Sequence, residues 1–282
     1  MRSADALACD LAPALVQWQR AQGRHHLPWQ GTRDPYRVWL SEIMLQQTQV
    51  STVLGYYDRF LARFPDVAAL AAAPLDEVLT LWSGLGYYSR ARNLHRCAQA
   101  VVDLHGGVFP GDAQSLQSLP GIGPSTASAI AAFCFHERIS IMDGNVKRVL
   151  GRVLAWGEDL SVAAHERALW QAAARLVPEQ AGDMPAYTQG LMDLGATVCT
   201  PRKPSCLVCP WAACCRARIE GTPEAYPVKT RKLKRSQREN WWLWLEHEGH
   251  IWLTQRPETG VWAGLWTLPL LEDEAAVSRV VS

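Results

Sequence analysis

No apolar run in this chain approaches the ~20 residues that a membrane-spanning helix needs, so the sequence predicts no span and no membrane partner. Met1 to Asp10 hold one arginine, two aspartates and no apolar core, which excludes a secretory signal in that stretch. A dominant charge is missing too: 28 basic and 27 acidic side chains leave a formal net charge of +1. Period-two alternation is absent from roughly the first 220 residues, so that part reads as all-α. Cys9, Cys97 and Cys134 are scattered and read as small buried hydrophobes, a usage that fits a reducing cytosol and a cytoplasmic protein.

The near-neutral charge conceals an asymmetry. Residues 239–282 carry 2 basic and 7 acidic groups, which leaves 26 basic and 20 acidic groups before them. That bias permits a polyanion partner for the helical part without requiring one. At 282 residues the chain is long enough for two domains.

Four of the eight cysteines are not scattered. Cys199, Cys206, Cys209 and Cys215 follow a C-x6-C-x2-C-x5-C spacing, and four such thiolates can wrap one soft metal centre. Zinc and an iron–sulfur cube both remain open. The lack of a second C-x2-C knuckle favours iron–sulfur, and the composition argues against a disulfide framework. Between these cysteines, Arg202 and Lys203 set two cations beside the anionic site.

Leu119-Pro120-Gly121-Ile122-Gly123-Pro124-Ser125 places two glycines around one apolar residue immediately before a helix. Glycine allows close backbone approach, and the helix N-terminus offers N–H groups to an anion. Read as a helix-hairpin-helix, the loop grips one DNA phosphate without reading sequence. Read as packing, it is an ordinary turn. Two carboxylates stand out less sharply. Glu42 sits mid-helix among Val38, Trp39 and Leu45, where an apolar pocket would raise its pKa. Asp143 precedes a helical run and reads first as its N-cap.

Other helices are expected from Asp34-Pro35 through Leu45, over Leu75–Gly84, Ser89–Leu104, Pro124–Phe135, Gly144–Leu154, Ala163–Leu176 and Tyr187–Leu194. After Cys215 comes a basic stretch, Lys229 to Arg238, expected to be a solvated linker. Trp241–Leu245 and Ile251–Thr254, around a turn through Gly249, predict a β-hairpin. Six of the thirteen tryptophans fall after residue 239, too many for a lone hairpin to bury, so the segment reads as the start of a β-rich domain.

Taken in order, Leu27-Pro28-Trp29-Gln30, Val38 to Val50, Leu81 to Tyr88, the hairpin loop, Met142 to Arg148 and Met192 to Ala196 resemble the MutY-type adenine DNA glycosylases. The resemblance spans about residues 10–270 and implies a helix-hairpin-helix DNA glycosylase fold. It implies that the four cysteines hold a [4Fe–4S] cluster, whose job would be to fold the loop that brings Arg202 and Lys203 to a phosphate; Cys214, next to Cys215, is the ambiguous neighbour. The implied substrate is double-stranded DNA with adenine opposite 8-oxoguanine or guanine, bound by a monomer. Glu42 would protonate the adenine and help activate water, Asp143 would stabilise the oxocarbenium-like sugar, and Asn145 would orient Asp143 or the water. Trp29, Gln30, Leu45 and Gln189 would line the adenine pocket, and Gln47 and Tyr87 would enter the base stack. Where the related endonuclease III enzymes carry a Schiff-base lysine, this chain has Ser125, which implies a glycosylase without strong lyase activity. The expected organisation is an N-terminal helix within 1–27, a six-helix domain at 28–139, an iron–sulfur domain at 140–225, a linker at 226–238 and an incomplete Nudix-like domain at 239–282. The Nudix hydrolase glutamate box is absent, which argues against pyrophosphatase activity.

Overall fold

The computed structural model describes residues 10–228, 230, 239–257, 259–260, 262–274, 276 and 279. The basic stretch at Lys229 and 231–238 lies outside them, as do Cys9 and Val261. Twelve α-helices occur among the described residues: α1 (Leu11–Gln22), α2 (Pro35–Leu45), α3 (Val50–Arg63), α4 (Val67–Ala72), α5 (Leu75–Trp82), α6 (Ser89–His105), α7 (Ala113–Leu116), α8 (Pro124–Phe135), α9 (Gly144–Val153), α10 (Ala163–Ala174), α11 (Met184–Thr197) and α12 (Arg216–Ile219).

Local chemistry accounts for many of their starts. Asp34 caps α2 by accepting from Tyr36 N at 2.9 Å, with Pro35 preset for the first turn. Asp66, Asp112 and Asp143 cap α4, α7 and α9 in the same way. α3 was not anticipated from the sequence. Its β-branched residues and Gly55 lower helix propensity, and burial of Val53, Tyr57 and Phe60 overrides that.

Two hydrophobic cores form. One is built from α2 to α8 around Trp39, Tyr57, Phe60 and Trp82. The other joins α1 to α9, α10 and α11, and includes Trp211, whose indole N–H donates to Leu11 O at 2.9 Å. α8 serves both. Its Ala127, Ile130 and Ala131 enter the first core, while Ala129 and Ala132 enter the second. A helix apolar on every side belongs between two layers. The cleft where the two halves meet is therefore fixed by α8 and by the elements on either side of it.

The C-terminal segment forms three two-stranded antiparallel ribbons. β1 (Trp241–Trp242) pairs with β6 (Leu270–Leu271), β2 (Glu246–His247) with β3 (His250–Ile251), and β4 (Thr254–Gln255) with β5 (Trp266–Thr267). The turn at Glu248–Gly249 was anticipated, but the strand partners were not. Trp241 and Trp242 pair with residues near 270, and Thr254 with Thr267, so only the tip belongs to the expected hairpin. Trp244, Trp252 and Trp266 remain more than half exposed. Arg92 of α6 pins the segment to the helical part by donating to Ala263 O at 2.6 Å. Among the described residues no helix is long and apolar enough to cross a membrane.

Candidate functional site

A cavity of about 280 Å³ opens between the two cores. That is near the lower end of the roughly 300–1,000 Å³ typical of small-molecule pockets. Its walls come from the turn before α2 (Trp29, Gln30), from α2 itself (Val38, Glu42, Leu45) and from α11 (Gln189, Met192). Trp29, Gln30, Leu45 and Gln189 were all anticipated as lining residues, and the fold brings them together. Trp29 is also a core residue: it is buried, with its ring edge-on to Tyr57 at 5.4 Å. Arg24 and His25 also line the cavity, and no sequence motif marks them.

Glu42 faces this cavity from the middle of α2. The surrounding protein strips it of bulk water and pushes its pKa from the ordinary 4.5 to about 8, with the charge of Asp143 adding to the rise. A carboxyl group with that pKa is protonated at neutral pH and can donate. Its side chain is only half-buried because it borders the open pocket.

Asp143 and Asn145 approach from the start of α9 and are not wall residues of the cavity. Asp143 Oδ1 accepts from Val146 N at 2.7 Å, while its burial raises its pKa against the hydrogen bonds and cations that lower it. Asp143 is thus both N-cap and neighbour of Glu42. Asn145 packs against the open α-carbon of Gly195 and accepts from Arg148 Nη2 at 2.6 Å. Arg148 also donates to Cys199 O and Gly195 O, at 2.8 Å each. Ser125 accepts from Met142 N at 3.2 Å and so steadies the backbone just before Asp143.

Gln47 and Tyr87 sit on two exposed loops, and both adopt left-handed backbone angles (φ 55° and 47°) that side chains other than glycine rarely take. Arg90 explains how they are held. This buried guanidinium donates to the carbonyls of Ile43 and Met44 at the end of α2 and of Gln46 in the first loop, and to Leu85 and Gly86 carbonyls in the second. It also lies over the rings of Trp82 and Tyr87. Its charge is balanced by carbonyl dipoles, several from the C-terminus of α2.

In the loop before α8, Gly121 has φ 74°, and a β-carbon there would lie 2.6 Å from Asn93 Cβ. Only glycine fits. Gly123 has an ordinary extended backbone, and a β-carbon would meet nothing within 4 Å.

Cys199, Cys206, Cys209 and Cys215 line a second, apolar-walled cavity. Burial raises the pKa of Cys209 to about 12 and raises that of Cys215, and the neighbouring thiolates add to both. Cys214 is absent from that wall. It is disulfide-bonded, whereas Cys199, Cys206, Cys209 and Cys215 are free thiols, so the clustered set is not a disulfide framework. Among the described residues, no three Cys, His, Asp or Glu side chains are grouped tightly enough for a single metal ion. Arg152 donates to Cys199 Sγ at 3.4 Å and to the carbonyls of Thr200 and Pro201, which fixes the loop bearing the exposed Arg202 and Lys203.

Residues 40–175 match the family described as HhH-GPD superfamily base excision DNA repair protein. An adenine DNA glycosylase of Buchnera aphidicola (from Acyrthosiphon pisum) is 38% identical over 260 residues, covering 92% of this chain and 74% of the relative. The adenine DNA glycosylase of Homo sapiens is 38% identical over 91% of this chain and 56% of its own length. Among solved structures, a thermostable thymine-DNA glycosylase superposes with a TM-score of 0.65 at 28% identity, over 74% of this chain and 95% of that one. An endonuclease III–DNA complex superposes at 0.62 with 20% identity, over 78% and 99%, a likeness of fold. With a relative this similar matched over most of its length, the chain belongs to the adenine DNA glycosylases.

Proposed function

We propose that the protein removes adenine mispaired with 8-oxoguanine or guanine in double-stranded DNA. The observation that carries this reading is Glu42: a carboxyl protonated at neutral pH, facing a purine-sized cavity and electrostatically coupled to Asp143. A stacked base must leave the duplex to be attacked, at a cost of a few kcal/mol. Gln47 and Tyr87, held outward on their loops by Arg90, would fill the gap. The backbone of Gly121 and Gly123, with Ser125 in the first turn of α8, would hold a phosphate, and Arg202 and Lys203 would add contacts sensitive to salt.

With adenine in the cavity, Glu42 donates its proton to the ring, which turns the base into a neutral leaving group. Asp143 lies next to the sugar and stabilises the positive charge that develops as the glycosidic bond breaks. Glu42, now ionised, accepts a proton from the attacking water. Asn145 holds the Asp143 end of α9 in place through Arg148. Ser125 has no amine to trap the opened sugar, so the strand should stay intact.

The four thiols suit a [4Fe–4S] cluster. They ring one cavity with apolar walls, and a guanidinium N–H points at one sulfur. Bound there, the cluster would supply four thiolate bonds that fasten the loop at 199–215. The domain division at residues 28–139 and 140–225 is proposed on the same footing, and the protein is proposed to act as a monomer.

Incubation with A:8-oxoguanine, A:G and A:C duplexes tests this proposal. Adenine should be released from the first two, with nicking only after alkali. Strand cleavage of oxidised-pyrimidine DNA without alkali, and no adenine release, would overturn it in favour of an endonuclease III-like lyase.

A further inference from the structure

Asp193 lies behind the pocket wall on α11, wholly buried and outside the cavity itself. Its carboxylate nevertheless holds two residues that do face the cavity. Oδ1 accepts from Gln189 Nε2 at 2.8 Å and from Arg24 Nε at 2.7 Å, and Oδ2 accepts from Arg24 N at 2.9 Å. The Arg24 guanidinium pairs with Oδ1, and a carboxylate can only accept.

That fact fixes the direction of an amide. A glutamine can present either its oxygen or its nitrogen to a ligand, and the two ends have nearly the same shape. Beside Asp193, only the nitrogen end of Gln189 can turn inward. Its Oε1 is left for the pocket. The opposite choice is made at Gln30, on the facing wall. There Oε1 accepts from Leu27 N at 3.2 Å, and the buried Nε2 has no partner among the described residues. The cavity therefore offers a fixed acceptor from Gln189, while the Gln30 amide is turned the other way with its Nε2 buried.

A 6-aminopurine has the matching pattern, with an exocyclic N–H₂ donor beside ring-nitrogen acceptors. A 6-oxopurine carries an acceptor where the amine was, and its oxygen would face Gln189 Oε1. We infer that Asp193 is a positioning residue that sets base specificity: by accepting from Gln189 Nε2 it locks the amide so that the pocket admits a 6-aminopurine and rejects a 6-oxopurine. The inference rests on the proposal that the cavity receives the extruded base.

The test compares excision of adenine with excision of hypoxanthine opposite the same partner base, under single-turnover conditions. Sites built to hydrogen-bond one group reject an analogue lacking it by up to ~10⁴-fold or more, so the wild type should prefer adenine by at least ~100-fold. Asp193→Asn keeps the shape but can donate as well as accept, which frees Gln189 to flip. The adenine-to-hypoxanthine ratio should fall at least tenfold in that variant. Asp193→Glu, which restores an acceptor-only group, should keep most of the preference. Loss of rate on both bases with the ratio unchanged would mean Asp193 is merely structural, and would overturn the inference. If Asp193→Asn does not fold, Gln189→Leu leaves the Arg24 pair intact and must itself collapse the ratio; an unchanged ratio there sinks the idea. Wild-type protein that releases no adenine would instead refute the proposed function, so the two failures are distinguishable.

Discussion

Replacing Glu42 with glutamine should remove excision activity and, above mildly acidic pH, make the protein more stable. The reason is the pKa of about 8 against an ordinary 4.5. The folded protein holds a proton on this group at pH values where the unfolded chain has released it. Stability from this group is thus complete below about pH 4.5, declines as pH rises, and is fully lost above pH 8. At about 1.4 kcal/mol per pH unit, the loss by pH 7 is at most about 3.5 kcal/mol. Water admitted through the open pocket reduces this to about 1–2 kcal/mol. Glutamine has nearly the same shape and no titration. Glu42→Gln should therefore melt about 3–6 °C above the wild type at pH 7.5, with the difference shrinking to nothing near pH 4.5. Thermal melts across that range, with adenine release measured in parallel, form the assay. A melting difference that is flat with pH, or a destabilised variant at pH 7.5, refutes the claim that Glu42 is held protonated by burial.

Other outcomes follow from the same geometry. Arg90→Met would strand the carbonyls that Arg90 serves in both loops, and should cost about 2–4 kcal/mol in denaturant melts. It should also weaken binding to mispair duplexes about tenfold through the displaced Gln47 and Tyr87 loops. Gly121→Ala should destabilise by about 1–3 kcal/mol because of its positive φ and the Asn93 contact, whereas Gly123→Ala should melt like the wild type. Any effect of Gly123→Ala should be confined to DNA affinity, read by fluorescence anisotropy. Natively prepared protein should contain about four irons per chain, absorb in the blue part of the visible spectrum, and lose the band in Cys199→Ser. Stoichiometric zinc would contradict the cluster.

What could be read from sequence was local. Asp34-Pro35 announced α2, and Pro124 marked the start of α8, because caps and fixed-φ residues act within one turn. The motif residues Trp29, Gln30, Leu45, Glu42 and Gln189 were placed on one cavity by resemblance to a family, since residues 29 and 189 share no local signal. Local sequence alone puts Glu42 mid-helix beside apolar residues and does not show that it faces a pocket. Its environment depends on α8 and on Asp143, about a hundred residues away. The Asp193–Arg24 pair was invisible for the same reason, as were the ribbon pairings of the C-terminal segment. There, alternation shows which residues are strands but not which strands meet.

The most direct test is the pH dependence of single-turnover adenine release from an A:8-oxoguanine duplex, between pH 5.5 and 9.5. If Glu42 is the proton donor, the rate should hold through neutral pH and fall about tenfold per unit above about pH 8. A rate independent of pH up to 9.5, or one retained in Glu42→Gln, would contradict the assignment.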